Sequence, residues 1–447
     1  MHGLIVRPKE CRLETLTVTE LLQRLIRFDT TNPPGRELEA MRWVQGWLEA
    51  QGHVPELLGR DPERPNLIVR FKGRGEAPPL LVYGHLDVVT TEGQDWSVPP
   101  FEGRVQDGFV WGRGALDMKG AVAMYLKAVT EAHAAGELAG DVVLVLLSDE
   151  EAGGDYGAAW LADEHPERFE GIRHALGEFG GFSIDIAGKR FYPVMVAEKQ
   201  ISWLELTFSG PAGHGSLIHR GGAMAKLGQA LAALDKKLTP VHVTPVVERM
   251  FREIAAGLSG AARAGVLAAL KPALTDRVLA SLGEGGKTFQ PLFHNTVSPT
   301  IVSGGDKINV VPAEVRLQLD GRLLPGYEPD DLIAELKDLI PVPFEARVVR
   351  YDPGPKEVDW TLFPLLKRTL EEADPEGRAV PLLLSGVTDG RHFARLGIQT
   401  YGFTPMKLPS DLKFTGLIHA ADERIPVEAL EFGVDVLRRF FRNYGRS

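Results

Sequence analysis

Residues 142–151 read VVLVLLSDEE, and this stretch limits the fold more than any other. Successive side chains on a strand point to opposite faces, so six apolar residues in a row leave neither face for water. Such a strand belongs inside a sheet with helices on both sides, which makes the chain an α/β protein. The serine, aspartate and two glutamates that follow then stand beyond the strand's carboxyl end, where open α/β sheets bind ligands.

A second strand ends in the same way. Residues 81–89 read LVYGHLDVV, and positions two apart share a face, so His85 and Asp87 lie side by side at its end. A histidine and a carboxylate so placed can be a satisfied core pair, a general-base dyad, or a metal ligand with its supporting partner.

The rest of the first half alternates helix and strand. Thr17 and Glu20 have the spacing of a capping box, and Leu21, Leu22, Leu25 and Ile26 then repeat with helical period until TTNPPG stops them. An amphipathic stretch over 37–50, apolar runs at 66–71 and 80–84, and a helical stretch near 118–134 follow. After about residue 200 the order becomes βαββαβ, with Val315, Leu317 and Leu319 alternating with Arg316, Gln318 and Asp320 as in a sheet with one wet face. We therefore expect a mixed-sheet domain over 1–199 and 352–447, and an inserted ferredoxin-like domain over 200–351 carrying extra helices near 243–290. A length of 447 residues fits two or three domains.

Composition narrows the chemistry. Cys11 is the single cysteine, so any metal must be held by His, Asp and Glu. A formal charge of −10 with no basic run argues against nucleic acid as a partner. No apolar run approaches the 18 or so residues of a membrane span, and the opening MHGLIVRPKECRLETL lacks a secretory signal's pattern, so a cytoplasmic location is expected.

Four more polar clusters interrupt apolar or glycine-rich surroundings: GRGALDMKG with Asp117, SDEEAGG with Glu150 and Glu151, LGEFGG with Glu178, and GLIHAADE with His419. Each has a plain structural reading. The SDEE acids suit a helix N-terminus, Glu178 a solvated loop, and His419 a surface site. GRGALDMKG lacks the ending of a phosphate-binding loop, and its central carboxylate would repel phosphate. Gathered at one sheet edge, however, these carboxylates would be costly to bury without a cation. A divalent metal resolves the conflict, and mixed imidazole and carboxylate ligands suit zinc, cobalt or manganese.

The motifs GHLDVV, WSVPPFEGRVQDGFVWGRGALDMKG, SDEEAGG, GPAGHGS, INVVPAEV and the His419 segment, in this order, resemble the dinuclear zinc M20 peptidase and deacylase family. The resemblance implies His85 as a ligand of one metal, Asp117 as the bridge, Glu151 as a ligand of the other, and Glu178 and His419 as the remaining ligands. It makes Asp87 the residue that orients His85, Glu150 the general base, and His214 an oxyanion donor on a lid domain. Asn309, Arg322, Gly386, Thr388 and Arg391 become substrate contacts, and the peptide after Asp117 is expected to be cis.

What the resemblance implies is a hydrolase with two divalent ions that cleaves an amide bond of an N-acyl amino acid or short peptide with a free carboxylate, as a homodimer through the lid. Two rivals stand beside this reading. One is a metalloaminopeptidase acting on a free amino terminus; the other is a non-catalytic binding protein on the same fold.

Overall fold

The computed structural model describes residues 16–446. Cys11 and all but the last residue of the stretch read for a secretory signal lie outside them. The chain forms two compact units. The first holds the described residues up to Val194, Thr361–Ala379 and Arg395 onward; the second holds Met195–Trp360 and Val380–Ala394.

In the first unit, Thr17 opens the helix Val18–Ile26: its hydroxyl accepts from Glu20 N, while the Glu20 carboxylate accepts from Thr17 N at 2.8 Å. Such a cap stabilises a helix by about 1 kcal/mol. The helix buries Leu21, Leu22, Leu25 and Ile26, the stripe its sequence period marks. A nine-stranded mixed sheet runs in the order Glu56–Leu58, Asn66–Phe71, Val142–Leu147, Leu80–His85, His174–Gly177, Gln399–Gly402, Lys189–Glu198 and Arg378–Leu384, with Ile184–Ile186 paired to Lys189–Glu198; the bounds of the first unit fall within Lys189–Glu198 and Arg378–Leu384.

Every residue of Val142–Leu147 and Leu80–His85 is buried, so both faces of the sheet are covered at its centre. Full burial of each such leucine or valine favours the fold by about 1.5–3 kcal/mol over exposure. The helix Lys119–Ala134 packs on Leu80–His85 and is buried round nearly its whole circumference, because the helices Val18–Ile26 and Val427–Asn443 pack against it. Gly84 permits the close approach: a β-carbon there would come within 2.8 Å of the Met118 side chain and 2.9 Å of Val122.

The second unit contains a four-stranded antiparallel sheet in the order Thr296–Ser303, Glu314–Leu323, Gln200–Ser209, Glu345–Asp352. The connection is βαββαβ, with helices Ala223–Lys236 and Pro329–Leu339 on one face. Val315, Leu317 and Leu319 enter that core, as their alternation with polar residues requires. Four helices, Pro245–Gly257, Gly260–Ala268, Pro272–Ser281 and Glu284–Phe289, fill the Ala-rich stretch. The first opens on Thr244, whose hydroxyl accepts from Val247 N, and buries Val246, Val247, Met250, Phe251 and Ile254.

The segment Val380–Ala394, which its place in the sequence puts with the first domain, groups with the second unit. Polar contacts hold it there: Lys199 N donates to Leu384 O at 3.0 Å, and Thr388 N donates to the Glu198 carboxylate at 2.7 Å. Among the described residues, no helix is long and apolar enough to cross a membrane.

Candidate metal centre

Three neighbouring parallel strands deliver the first residues. Leu80–His85 lies between Val142–Leu147 and His174–Gly177, and its register pairs His85 with Leu147. His85, the SDEE acids and Glu178 therefore emerge at adjacent carboxyl ends. Asp117 precedes the helix Lys119–Ala134, and the peptide from Asp117 to Met118 is cis. His419 comes from a loop with φ at 61°.

Asp117 stands at the centre. Its Oδ1 is 3.2 Å from His85 Nε2, and its Oδ2 is 3.2 Å from His419 Nε2. His419 Nε2 also lies 3.3 Å from Glu151 Oε1, and His85 Nε2 lies 4.0 Å from Glu178 Oε2. Donor atoms of His85, Asp117 and Glu151 fall within 4.8 Å of one another, as do those of His85, Glu150 and Glu178. The six residues expected as ligands and base thus converge in one place.

Four carboxylates face two imidazoles here. The nearby buried guanidiniums are committed elsewhere, Arg64 to Glu37 and Asp149, and Arg113 to Glu423. With protons as the only counter-charge, hydrogen bonds to Asp117 and Glu151 push His419 up to about 10. Burial opposes protonation of His85, yet bonds to Asp117 and Asp87 outweigh it and hold the imidazole well above its ordinary value. Burial also raises the Glu151 carboxyl, and the charge of Asp117 adds to that. The donor set is short of positive charge, and divalent cations fit it.

Asp87 does more than orient His85. The imidazole Nδ1 lies 3.0 Å from the Asp87 carbonyl and 3.5 Å from its carboxylate. The buried carboxylate instead accepts from Glu150 N and Glu151 N, both at 3.1 Å, and from Asn32 Nδ2 at 2.8 Å. Asn32 also donates to Asp149, which Arg64 pairs at 2.9 Å. Sequence reasoning passed over this support: TTNPPG reads as a helix stop, and no local pattern marks Arg64.

The remaining expected residues lie in the second unit. His214 pairs with Val310 in a two-residue ladder, its Nδ1 2.8 Å from Ser216 Oγ, and Gly215 N donates to Asn309 O, so His214 and Asn309 are neighbours. Arg322 donates to Asp320 through Nε at 2.8 Å and Nη2 at 3.1 Å. Gly386 is only partly exposed. Thr388 is buried; its hydroxyl donates to Glu198 and accepts from Gly390 N, while Arg391 Nη1 donates to Thr388 O at 2.7 Å. Thr388 N and Oγ1 both bond the Glu198 carboxylate, which ties this loop to the end of the strand Lys189–Glu198.

The sequence profile of Peptidase family M20/M25/M40 matches residues 81–443. The chain belongs to this family. The M20 chain is 28% identical over 400 residues to a probable carboxypeptidase S-like 2 of Dictyostelium discoideum, covering 85% of this chain and 74% of the relative. It is 25% identical over 413 residues to the human N-fatty-acyl-amino acid synthase/hydrolase PM20D1, covering 89% and 77%. Its fold matches an M20 metallo-carboxypeptidase, Sso-CP2, from Sulfolobus solfataricus with a TM-score of 0.67 at 17% identity, over 96% of this chain and 100% of that one. Human carnosine dipeptidase 1 matches at 0.66 and 16% identity, over 96% of each chain. The protein is an enzyme of this metallopeptidase family, a hydrolase with a candidate dinuclear site.

Proposed function

We propose that this M20 enzyme hydrolyses the amide bond of an N-acyl amino acid or short peptide bearing a free carboxylate. The observation that carries the reading is the placement of Asp117, one oxygen toward His85 and the other toward His419. His85, Asp117 and Glu178 would hold one divalent ion, and Asp117, Glu151 and His419 the other, with zinc ahead of cobalt or manganese. When bound, the pair supplies Lewis acidity that lowers the pKa of water and polarises an amide carbonyl.

The protein's own groups do the rest. Glu150 serves as general base: its carboxylate takes the proton of the attacking water and passes it to the leaving nitrogen. Asp87 holds the Glu150 and Glu151 amides together, so base and ligand branch from one anchored turn. In the same reading, His214 donates to the developing oxyanion and Asn309 and Arg322 bind the substrate carboxylate, a task that suits a guanidinium fork. Arg322 must then exchange Asp320 for substrate. Gly386, Thr388 and Arg391 form the substrate loop, which the Thr388–Glu198 bond anchors.

A homodimer through the second unit belongs to the proposal. The edge strand Thr296–Ser303 exposes Ile301 and Val302, and an unpaired edge of this kind invites a second strand.

The test is hydrolysis of N-acyl amino acids, dipeptides and amino-acid amides by protein stripped of metal and reloaded with zinc or cobalt. Metal-dependent cleavage of substrates with a free carboxylate is expected. Cleavage confined to free-amine amides would instead assign an aminopeptidase, and silence across the loaded panel would refute the reading.

A further inference from the structure

The acid four residues beyond His419 has no place in the mechanism above, yet it is among the most completely bonded carboxylates in the first unit. Glu423 is fully buried. Its Oε1 accepts from Leu116 N at 2.7 Å and from Asp117 N at 3.1 Å, and its Oε2 accepts from Gly114 N at 3.0 Å and Arg113 Nη1 at 2.7 Å. Three backbone amides of one loop thus converge on a single side chain. A turn that aims successive N–H groups inward makes an anion cradle, and here the anion is supplied by the chain itself.

The second half of the observation is where Glu423 comes from. Gly112 N donates to Glu423 O at 2.9 Å, and Arg113 Nη1 reaches Ala420 O at 3.1 Å. Arg113 Nη2 donates to Gln94 Oε1 at 2.7 Å, and Gln94 Nε2 donates to His419 O at 2.9 Å. The loop that presents Asp117 and the loop that presents His419 are therefore bolted together through Glu423 and Arg113. Asp117 and His419 lie more than three hundred residues apart in sequence, and neither is itself in a strand; the ladder pairing Phe109–Trp111 with Arg424–Pro426 joins the two segments, and Glu423 and Arg113 carry that connection on from its end toward Asp117 and His419.

We propose that Glu423 is a positioning residue for the metal pair: it sets the separation of Asp117 and His419, and thereby the affinity of the site those two residues share. The inference rests on the reading that Asp117 and His419 bind metal. Glu423→Gln keeps the size of the side chain but replaces one acceptor oxygen with a donor. Either orientation sets an NH2 group against amide or guanidinium donors, so the loop must move.

The test is competition of zinc between the stripped full-length protein and a chromophoric chelator, with the cobalt(II) d–d spectrum as a readout of ligand geometry and thermal melting of the stripped protein as a measure of folding. Wild type is expected to bind two equivalents. Glu423→Gln is expected to weaken one of the two sites by about 10–100-fold, the range for loss of a partner behind a ligand, and to alter the cobalt spectrum. Val436→Ala truncates a side chain in the buried face of the C-terminal helix, outside both loops in sequence, and should lower stability while both sites stay at wild-type affinity. Arg113→Lys keeps the charge but loses the fork, and should weaken the same site by a smaller factor even if Glu423→Gln fails to fold. Wild-type affinity at both sites in Arg113→Lys and in folded Glu423→Gln, or an equal loss in Val436→Ala, would overturn the inference. A wild-type protein that binds no zinc would instead overturn the metal reading beneath it.

Discussion

Replacing Asp87 by asparagine tests how much of the site depends on a residue that need not touch substrate. In the folded protein its Oδ1 receives the Glu150 amide, and its Oδ2 receives the Glu151 amide and the Asn32 side chain. Asparagine offers one oxygen. If its NH2 group takes the Oδ1 position it opposes the Glu150 amide; in the other orientation it opposes two donors, so the first is the smaller loss. A hydrogen bond to a charged group contributes about 1.5–3 kcal/mol, and an unpaired buried amide costs about 1–3 kcal/mol. The two figures overlap, which places the destabilisation at about 2–4 kcal/mol. Urea unfolding of the stripped protein reads this directly. The turn carrying Glu150 and Glu151 shifts as well, so kcat/KM of the zinc-loaded enzyme should fall about 10–100-fold. A variant within about 0.5 kcal/mol of wild type, the range of a neutral surface change, with unaltered kcat/KM would refute the role given to Asp87.

Other consequences are independent of this one. Glu150→Gln should lower kcat by about 10²–10⁴-fold while zinc stoichiometry, read by elemental analysis, stays at the wild-type value; loss of metal would make Glu150 a ligand instead. Asp374 is buried beneath Tyr192, Arg190 and Lys407. Burial alone would raise its carboxyl, but those three bonds outweigh it and hold the group below the usual range. Its stabilisation is therefore present above the unfolded value near 3.9 and lost as pH falls through the lower folded value. Asp374→Asn should cost about 1–3 kcal/mol at pH 7, the range for hydrogen bonds to a charged group, and the urea midpoints of the two proteins should draw together as pH falls below about 4. Lys199 is buried, and desolvation brings its ammonium down to about 7, with Arg322 adding to the effect. The folded protein gives up this proton near pH 7 and the unfolded chain only near 10.4, so stability rises between those values. Lys199→Met should accordingly be most stabilising, relative to wild type, below pH 7, with the gain fading toward pH 10; a pH-independent difference would contradict the assignment.

Local patterns carried much of this protein. The capping box at Thr17 and Glu20, the doubly apolar strand Val142–Leu147 and the one-sided alternation of Val315, Leu317 and Leu319 each appear in the structure as their periods require. Strand ends were equally legible: an apolar run that stops at His85 or at SDEE shows that polar groups leave a sheet edge there, and the strand order brings those edges together. Motif order along the chain then supplied Asp117, Glu178 and His419, which periodicity by itself could not have separated from surface acids and a turn histidine.

What sequence alone determined is which side chains stand as candidate donors and the kind of sheet that presents them, because both follow from side-chain chemistry and from the two-residue and 3.6-residue repeats of the backbone. Only the tertiary structure decided how those atoms are held. Asp87 serves the Glu150 and Glu151 amides more than the His85 ring, Thr388 is spent on Glu198, and Glu423 joins the Asp117 loop to the His419 loop. Each of these bonds links residues from 63 to 310 positions apart. No local repeat encodes such a pairing, since it exists only when packing of the apolar elements has brought the two backbones within hydrogen-bond reach.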